Sequence, residues 1–322
     1  MNNPNDKFSQ GADNNSEKKS DIIAVSNSKA GYIAITGKPN AGKSTLMNAM
    51  LEAKLSAVTR KAQTTRKRVL GILSNVNSQM VFLDNPGILE PKYELQRKMM
   101  EYVFSSIEEA DLLAVIIDAM AYKCEDDYFP ESFFETIKEL KIPKIGVLNK
   151  IDLEDNRRNL LPKIKALSDL DIFDEIIPIS ALKKQSVPEL ITIFEKYLPQ
   201  SPFFYDPEII SDMPERFFVS EIIREHIFNE YHEEIPYSTE VIIEEFKERE
   251  RNKWYIRAEI VVDRDSQKGI IIGAKGKMIK LLGEKARKDI ESHLQRQVFL
   301  DLFVKVKEKW RDNPSTLNSF GY

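Results

Sequence analysis

Residues 37–45 read GKPNAGKST and fit G-x-x-x-x-G-K-[ST], the spacing of a phosphate cradle. Gly37 and Gly42 allow a tight turn and a close backbone approach to an anion. Lys38, Pro39, Asn40 and Ala41 lie between them in the loop. Its N–H groups and the positive end of the following helix would bind phosphate. Lys43 would neutralise the β and γ phosphates; Ser44, next to Thr45, would offer its hydroxyl to magnesium. The plain alternative is a glycine-rich turn capping a helix. The pattern alone does not choose between ATP and GTP.

Three later segments make that choice. Asp84-Asn85-Pro86-Gly87 closes an apolar run, where Asp84 can hold magnesium through water and Gly87 can give its N–H to the γ phosphate. Asn149-Lys150-Ile151-Asp152 follows another run and matches N-K-x-D. Guanine presents two donors on one edge, which suit the paired oxygens of Asp152, whereas adenine presents neither. A site built for such donors strongly rejects a base that lacks them, because its carboxylate stays unpaired. Ser180-Ala181 would place a backbone N–H against guanine O6. Each segment alone is weak, but in this order, each after a strand, they resemble the motif series of the GTPases.

A second constellation lies far along the chain. Gly273-Ala274-Lys275-Gly276 is a G-x-x-G loop ahead of a helical pattern, with Ile270 to Ile272 before it and Lys277 and Lys280 after it. In its context the loop fits a KH domain, in which it clamps a single-stranded RNA backbone beside an apolar groove. The lysines would supply counter-charge, with Arg287, Lys288, Lys305 and Lys307 as further members of a basic face.

The cradle, Gln63-Thr64-Thr65-Arg66, the DNPG segment, NKID and the run IIGAKGKMIK together resemble the Era family of bacterial ribosome-assembly GTPases, from about residue 31 to residue 322. The resemblance implies that residues 61–67 are the first switch, with Thr64 or Thr65 closing on magnesium and the γ phosphate. It implies that the RNA is the 3′ end of small-subunit ribosomal RNA and that the small ribosomal subunit is the partner. Two positions depart from the family. Asn85 stands where threonine is usual, and its amide can still bond within the turn. The stretch ALKKQS lacks the glycine that usually follows Ser-Ala. Ile88 cannot orient an attacking water as a glutamine would, so hydrolysis should be slow or helped by another group. Asn40 resembles the asparagine of GTPases in which potassium replaces an arginine finger; shaping the loop's turn is its other reading. Lys43, Asn40 and Thr65 are therefore the expected catalytic residues.

These residues need a scaffold with strand ends on one edge. From residue 31 short apolar runs (32–36, 68–74, 80–83, 112–118, 144–148 and 176–179) alternate with helix-period segments (43–54, 94–110, 131–140, 159–167 and 187–198). This predicts an α/β P-loop GTPase domain, with a mixed, mostly parallel sheet and helices on both faces. The short connection at 75–79 predicts an antiparallel hairpin. Pro199, Pro202, Pro207 and Pro214 then mark a linker. Beyond it helix, strand, strand, helix, strand predicts a smaller α+β KH domain. The expected division is a disordered tail at 1–29, the GTPase domain at 30–200, a linker at 201–214, the KH domain at 215–312 and a C-terminal tail at 313–322.

With 322 residues, 42% apolar content and 30% charged residues, the chain reads as globular. No apolar stretch suits a signal peptide or membrane span, which predicts a cytoplasmic protein, with peripheral contact at the inner face of the membrane as an addition. One cysteine excludes an internal disulfide and three scattered histidines argue against zinc. The net charge of −4 opposes nonspecific coating of nucleic acid, yet residues 275–309 carry ten bases against five acids, enough for a local basic face. A monomer that uses magnesium, with potassium as a second cation, is the expectation. Two other classes remain: a GTPase whose second domain binds a protein or membrane partner, and a P-loop ATPase, which NKID disfavours.

Overall fold

The computed structural model describes residues 28–59, 61–124, 128–250 and 252–322. Among these, six apolar runs form β1 (Lys29–Gly37), β2 (Val69–Ser74), β3 (Ser78–Asp84), β4 (Leu112–Asp118), β5 (Lys144–Asn149) and β6 (Glu175–Pro178). Their order in the sheet is β2-β3-β1-β4-β5-β6. β1 pairs in parallel with β3 and β4, and β5 with β4 and β6, whereas β2 returns antiparallel to β3 as the short connection predicts. Central strands buried on both faces explain the continuous apolar runs.

Helices α1 (Lys43–Leu51) and α5 (Val187–Tyr197) cover one face through Met47, Met50, Leu190 and Phe194. On the other, α2 (Glu94–Glu109), α3 (Glu131–Glu139) and α4 (Leu160–Asp169) bring Val103, Ile107, Phe133, Ile137 and Leu167. α1 is shorter than its periodicity suggests, because Glu52 takes a left-handed φ of 52° and ends it.

The second unit contains α6 (Glu215–Glu230), β7 (Glu240–Lys247), β8 (Trp254–Val262), α7 (Asp265–Ile272), α8 (Lys277–Leu294), β9 (Val298–Val306) and α9 (Pro314–Ser319). β8 lies between β7, antiparallel to it, and β9, parallel to it. A parallel pair requires a crossover, and α7 with α8 provides it. The expected order omitted α7, because its eight residues end in a β-branched apolar run that reads equally as strand. Gln267 secures its start: Oε1 accepts from Asp263 N at 3.0 Å and Arg264 N at 3.2 Å. Strand alternation also divides the expected basic face. Val304 and Leu302 pack toward the helices, while Lys305 pairs with Glu259 at 3.0 Å and Lys307 sits over the Phe320 ring.

Three stretches expected as peripheral are tied down. Residues 1–27 of the expected tail lie outside the described residues, but Lys29 belongs to β1 and Ser28 donates to Ser201 O at 2.9 Å. The proline-dense stretch runs along the exposed edge of β2: Ile72 N donates to Ile210 O at 2.8 Å, and buried Gln79 accepts from Phe204 N and Tyr205 N at 2.8 and 3.0 Å. Covering a sheet edge in this way removes a site for unwanted strand pairing. At the C-terminus Trp310, Leu317 and Phe320 are buried in the same core as α2 and α3, so the two units share apolar contacts. No helix among the described residues is long and apolar enough to cross a membrane.

Candidate nucleotide and nucleic-acid sites

The loop between β1 and α1 turns where only glycine fits. Gly37 has φ 146°, and a Cβ there would lie 2.2 Å from Ile116 O. Gly42 has φ 99° and caps α1; its Cβ would meet Asn149 Nδ2 at 2.3 Å. Asn40 takes a left-handed φ of 63°, a conformation asparagine tolerates, which matches its turn-shaping reading. Lys43 is 6% exposed and donates to Gly37 O at 3.1 Å and Lys38 O at 3.0 Å, folded back along the loop. Burial lowers its amine from 10.5 to about 8, with Asp84 opposing the shift and Lys150 adding to it.

Asp84 ends β3 fully buried, and burial raises its carboxyl against hydrogen bonds from Ser44 and Ser56 and the charge of Lys43. Its Oδ2 accepts from Ser44 Oγ at 2.7 Å and Ser56 Oγ at 2.8 Å, while Oδ1 is buried without a partner. Thr65 Oγ1 lies 2.9 Å from Ser44 Oγ. Thr64 instead bonds Thr59 Oγ1 at 2.6 Å and donates to Lys61 O at 2.9 Å. Of the two threonines, Thr65 therefore stands with Ser44 and Asp84. Three hard oxygens and an orphaned carboxylate atom make a donor set that fits magnesium.

Asn85 is buried and donates to Leu83 O at 3.0 Å and Ile35 O at 3.3 Å, the local bonding expected of its amide. Gly87 lies so close to Pro39 that a Cβ would sit 2.7 Å from its backbone. Ile88 is a core residue whose N–H donates to Gly37 O at 3.0 Å.

At the ends of β5 and β6 the residues expected to read the base meet. Asn149 donates to Ala41 O at 2.8 Å and accepts from Ala181 N at 2.9 Å, joining the phosphate loop to the Ser-Ala turn. The Ala181 amide expected to face guanine O6 is thus bonded to Asn149 in this arrangement. Asp152 Oδ1 accepts from Ser180 Oγ at 2.6 Å, which orients the carboxylate. The turn closes without a glycine: Ser180 and Gln185 exchange backbone bonds at 3.0 and 3.1 Å, and Lys184 supplies the left-handed residue with φ 54°. Ile151 is buried behind this site. A cleft of about 1020 Å³, the size of a cofactor pocket, is lined by the phosphate loop, Thr65, Gly87, Asn149, Asp152 and Ala181, with Asp84 buried outside its lining.

Sequence reasoning missed two residues here. Asp118, at the end of β4, accepts from Lys150 Nζ at 2.7 Å and caps the following turn through Met120 N at 2.9 Å. A search of every strand's C-terminal end would have found it. Ser56 belongs to no motif, and nothing in its sequence context marks it.

The expected switch loop leads out of this cleft into the second unit. Lys61 Nζ donates to the carbonyls of Phe228 and Tyr231 at the end of α6. Arg66 is buried and donates to Thr239 O at 2.7 Å, Pro236 O at 2.9 Å, Tyr237 O at 3.1 Å and Glu240 Oε2 at 3.0 Å. Breaking such a buried pair from one side costs about 3–5 kcal/mol. Lys67 reaches Phe320 O and the Tyr322 ring.

The G-x-x-G loop has a different character. Gly273, Lys275 and Gly276 have φ of 70°, 52° and 76° between α7 and α8. Ala274, Lys275, Lys277 and Lys280 are exposed, and Lys280 is only 4.0 Å from Glu284 in a solvated i,i+4 pair. Beside it α8 and β9 enclose a groove of about 470 Å³, with Ile279, Leu300 and Leu302 on its floor and Lys253, Lys280 and Arg287 at its rim.

Residues 32–150 match the family described as 50S ribosome-binding GTPase, and residues 234–311 match the KH domain family. The chain is 41% identical over 293 residues to GTPase Era of Geotalea daltonii, covering 91% of this chain and 97% of that one. It is 40% identical to GTPase Era of Nitrosomonas eutropha, covering 93% and 100%. A solved Era variant from Aquifex aeolicus bound to GDP.AlF4- superposes with a TM-score of 0.87 at 42% identity, covering 91% of this chain and 99% of that one. An Era bound to MgGDPNP and nucleotides 1506–1542 of 16S ribosomal RNA gives 0.88 at 42% identity, covering 92% and 99%.

Proposed function

This chain belongs to the GTPase Era family, and from that premise we propose a GTP-controlled clamp on the 3′ end of small-subunit ribosomal RNA that assists assembly of the small subunit. One observation carries the reading: a single loop presents Thr65 to Ser44 and buries Arg66 in the second unit. A group that senses the γ phosphate is thereby one residue from a group that holds the RNA-binding module. The 16S RNA in the solved relative supports the small subunit, over nearly the whole chain, whereas the family described by 50S binding covers only the nucleotide-binding half.

In this reading residues 37–45 hold the phosphates, Lys43 turns from its loop carbonyls to the β and γ oxygens, and Asp152 with Asn149 reads guanine. Ser44, Thr65 and Asp84 hold magnesium, which neutralises phosphate charge when bound. Ile88 provides no hydrogen bond to water, so intrinsic hydrolysis is slow, and potassium beside Asn40 supplies the missing positive charge. Equal rates in potassium and sodium would remove that element. Gly273, Ala274, Lys275 and Gly276 clamp the RNA backbone, Lys277 and Lys280 neutralise it, and the groove takes bases. The protein works in the cytoplasm as a monomer, with any membrane contact peripheral.

The test is filter binding of an oligonucleotide with the 16S 3′-end sequence, with a GTP analogue or GDP, at several salt concentrations. Affinity should be higher with the analogue and fall linearly on logarithmic axes as salt rises. No measurable binding in either state would favour a protein or membrane partner instead. In parallel, Asp152→Asn should lower GTP affinity roughly 10–100-fold by removing a charged acceptor; unchanged affinity would reject it as the guanine reader.

A further inference from the structure

Asp84 is held by two hydroxyls, and only one belongs to a motif. Ser44 donates to Oδ2 at 2.7 Å from the phosphate loop, and Ser56 donates to the same oxygen at 2.8 Å from the segment beyond α1. Ser56 is 2% exposed. Its backbone is fixed on both sides by one side chain: Asn48 Oδ1 accepts from Leu55 N and Ser56 N, each at 3.0 Å, and Asn48 Nδ2 donates to Ser56 O at 2.9 Å. Asn48 lies four residues after Ser44 on α1, so one helix face sets both hydroxyls. Ser44 does so directly, and Ser56 through Asn48.

The two hydroxyls have unequal freedom. Ser44 also contacts Thr65 and faces the cleft, so its hydroxyl must serve cation and carboxylate together. The Ser56 hydroxyl donates to Asp84 and is buried away from the cleft lining. Without it a fully buried carboxylate whose Oδ1 already lacks a partner would keep one hydrogen bond and be free to turn.

We infer that Ser56, clamped by Asn48, is a positioning residue that orients Asp84 for the divalent cation accompanying the nucleotide. This rests on the reading of Asp84 as the magnesium-side carboxylate. The experiment titrates magnesium into full-length protein carrying a fluorescent GDP analogue and follows the nucleotide's dissociation rate, which needs no turnover. Ser56→Ala should require about tenfold more magnesium to slow release. Its release rate in excess chelator should equal that of wild type, which a general loosening of the site would not leave unchanged. Ser56→Thr, which restores the hydroxyl, should recover most of the difference. If Asp84→Asn shifts the magnesium midpoint and Ser56→Ala does not, the role of Ser56 is overturned. If Asp84→Asn itself leaves the midpoint unmoved, the reading of Asp84 beneath it fails instead.

Discussion

The nucleotide cleft and the G-x-x-G loop both use glycine, lysine and a helix N-terminus, yet they are built on opposite principles. In the cleft a Cβ on Gly37 or Gly42 would strike a neighbour at 2.2 or 2.3 Å, and Lys43 is buried with its amine bonded to carbonyls. At the loop a Cβ on Gly273 would strike Met278 at 2.5 Å, but one on Gly276 would meet nothing within 4 Å, and the lysines stand in solvent. The first site is closely packed and sacrifices hydration of its charges for geometry, although Lys43 must leave its carbonyls to meet a phosphate. The second keeps its charges hydrated and, in the proposed reading, would gain RNA affinity through counterion release, which salt removes. Substitutions should therefore be severe and insensitive to salt in one place, mild and sensitive to salt in the other.

The largest effect should come from Lys43→Met, which keeps the stem and removes the charge. Hydrolysis should fall by roughly 10²–10³-fold, measured by phosphate release at saturating GTP. The same variant tests the electrostatics. With a folded pKa of about 8 against 10.5, the unfolded chain binds more protons between those values, so this group makes the nucleotide-free protein more stable as pH rises through that window. Phosphate binding needs the charged amine and runs the other way. GTP affinity of wild type should weaken up to about tenfold from about pH 7 to about pH 9, and Lys43→Met should show a flat profile. A flat profile in wild type would contradict the buried, easily discharged lysine.

Next in size is Gly276→Asp, for which the structure offers room but a left-handed φ of 76°. The fold should survive with about 1 kcal/mol of backbone strain, while RNA affinity falls about tenfold because a carboxylate faces the phosphates. Unchanged binding would reject the clamp. Smallest is Lys280→Ala, whose side chain is mostly solvated. It should weaken RNA binding a few-fold at low salt and reduce the salt slope by about one. A larger, salt-independent loss would mean that the two regions are less different than their burial suggests.

Much of this was legible because the chemistry is local. Phosphate binding needs glycines and a lysine at fixed short spacing, and reading guanine needs a carboxylate just after a strand, so residues 37–45 and 149–152 carry their meaning in sequence. The antiparallel β2 and β3 pair followed from a connection too short for a crossover. Helix α7 was missed because eight residues ending in isoleucines satisfy strand and helix periods alike. The proline-dense stretch was read as a linker because composition does not reveal that a neighbouring strand edge needs covering. Nor does composition show that Lys305 and Arg287 lie on different faces of one unit.

The sequence alone determined that this chain binds guanine nucleotides through a phosphate loop and carries a second, RNA-type module, since those properties reside in contiguous motifs. Only the tertiary structure decided how the phosphate cradle is finished. It placed Thr65 rather than Thr64 beside Ser44, brought Ser56 to Asp84 and Asp118 to Lys150, and buried Arg66 against Glu240, 174 residues away. These are contacts between distant segments whose partners are set by packing. A side chain's type announces what it can bond, but burial and neighbours decide which bond it makes.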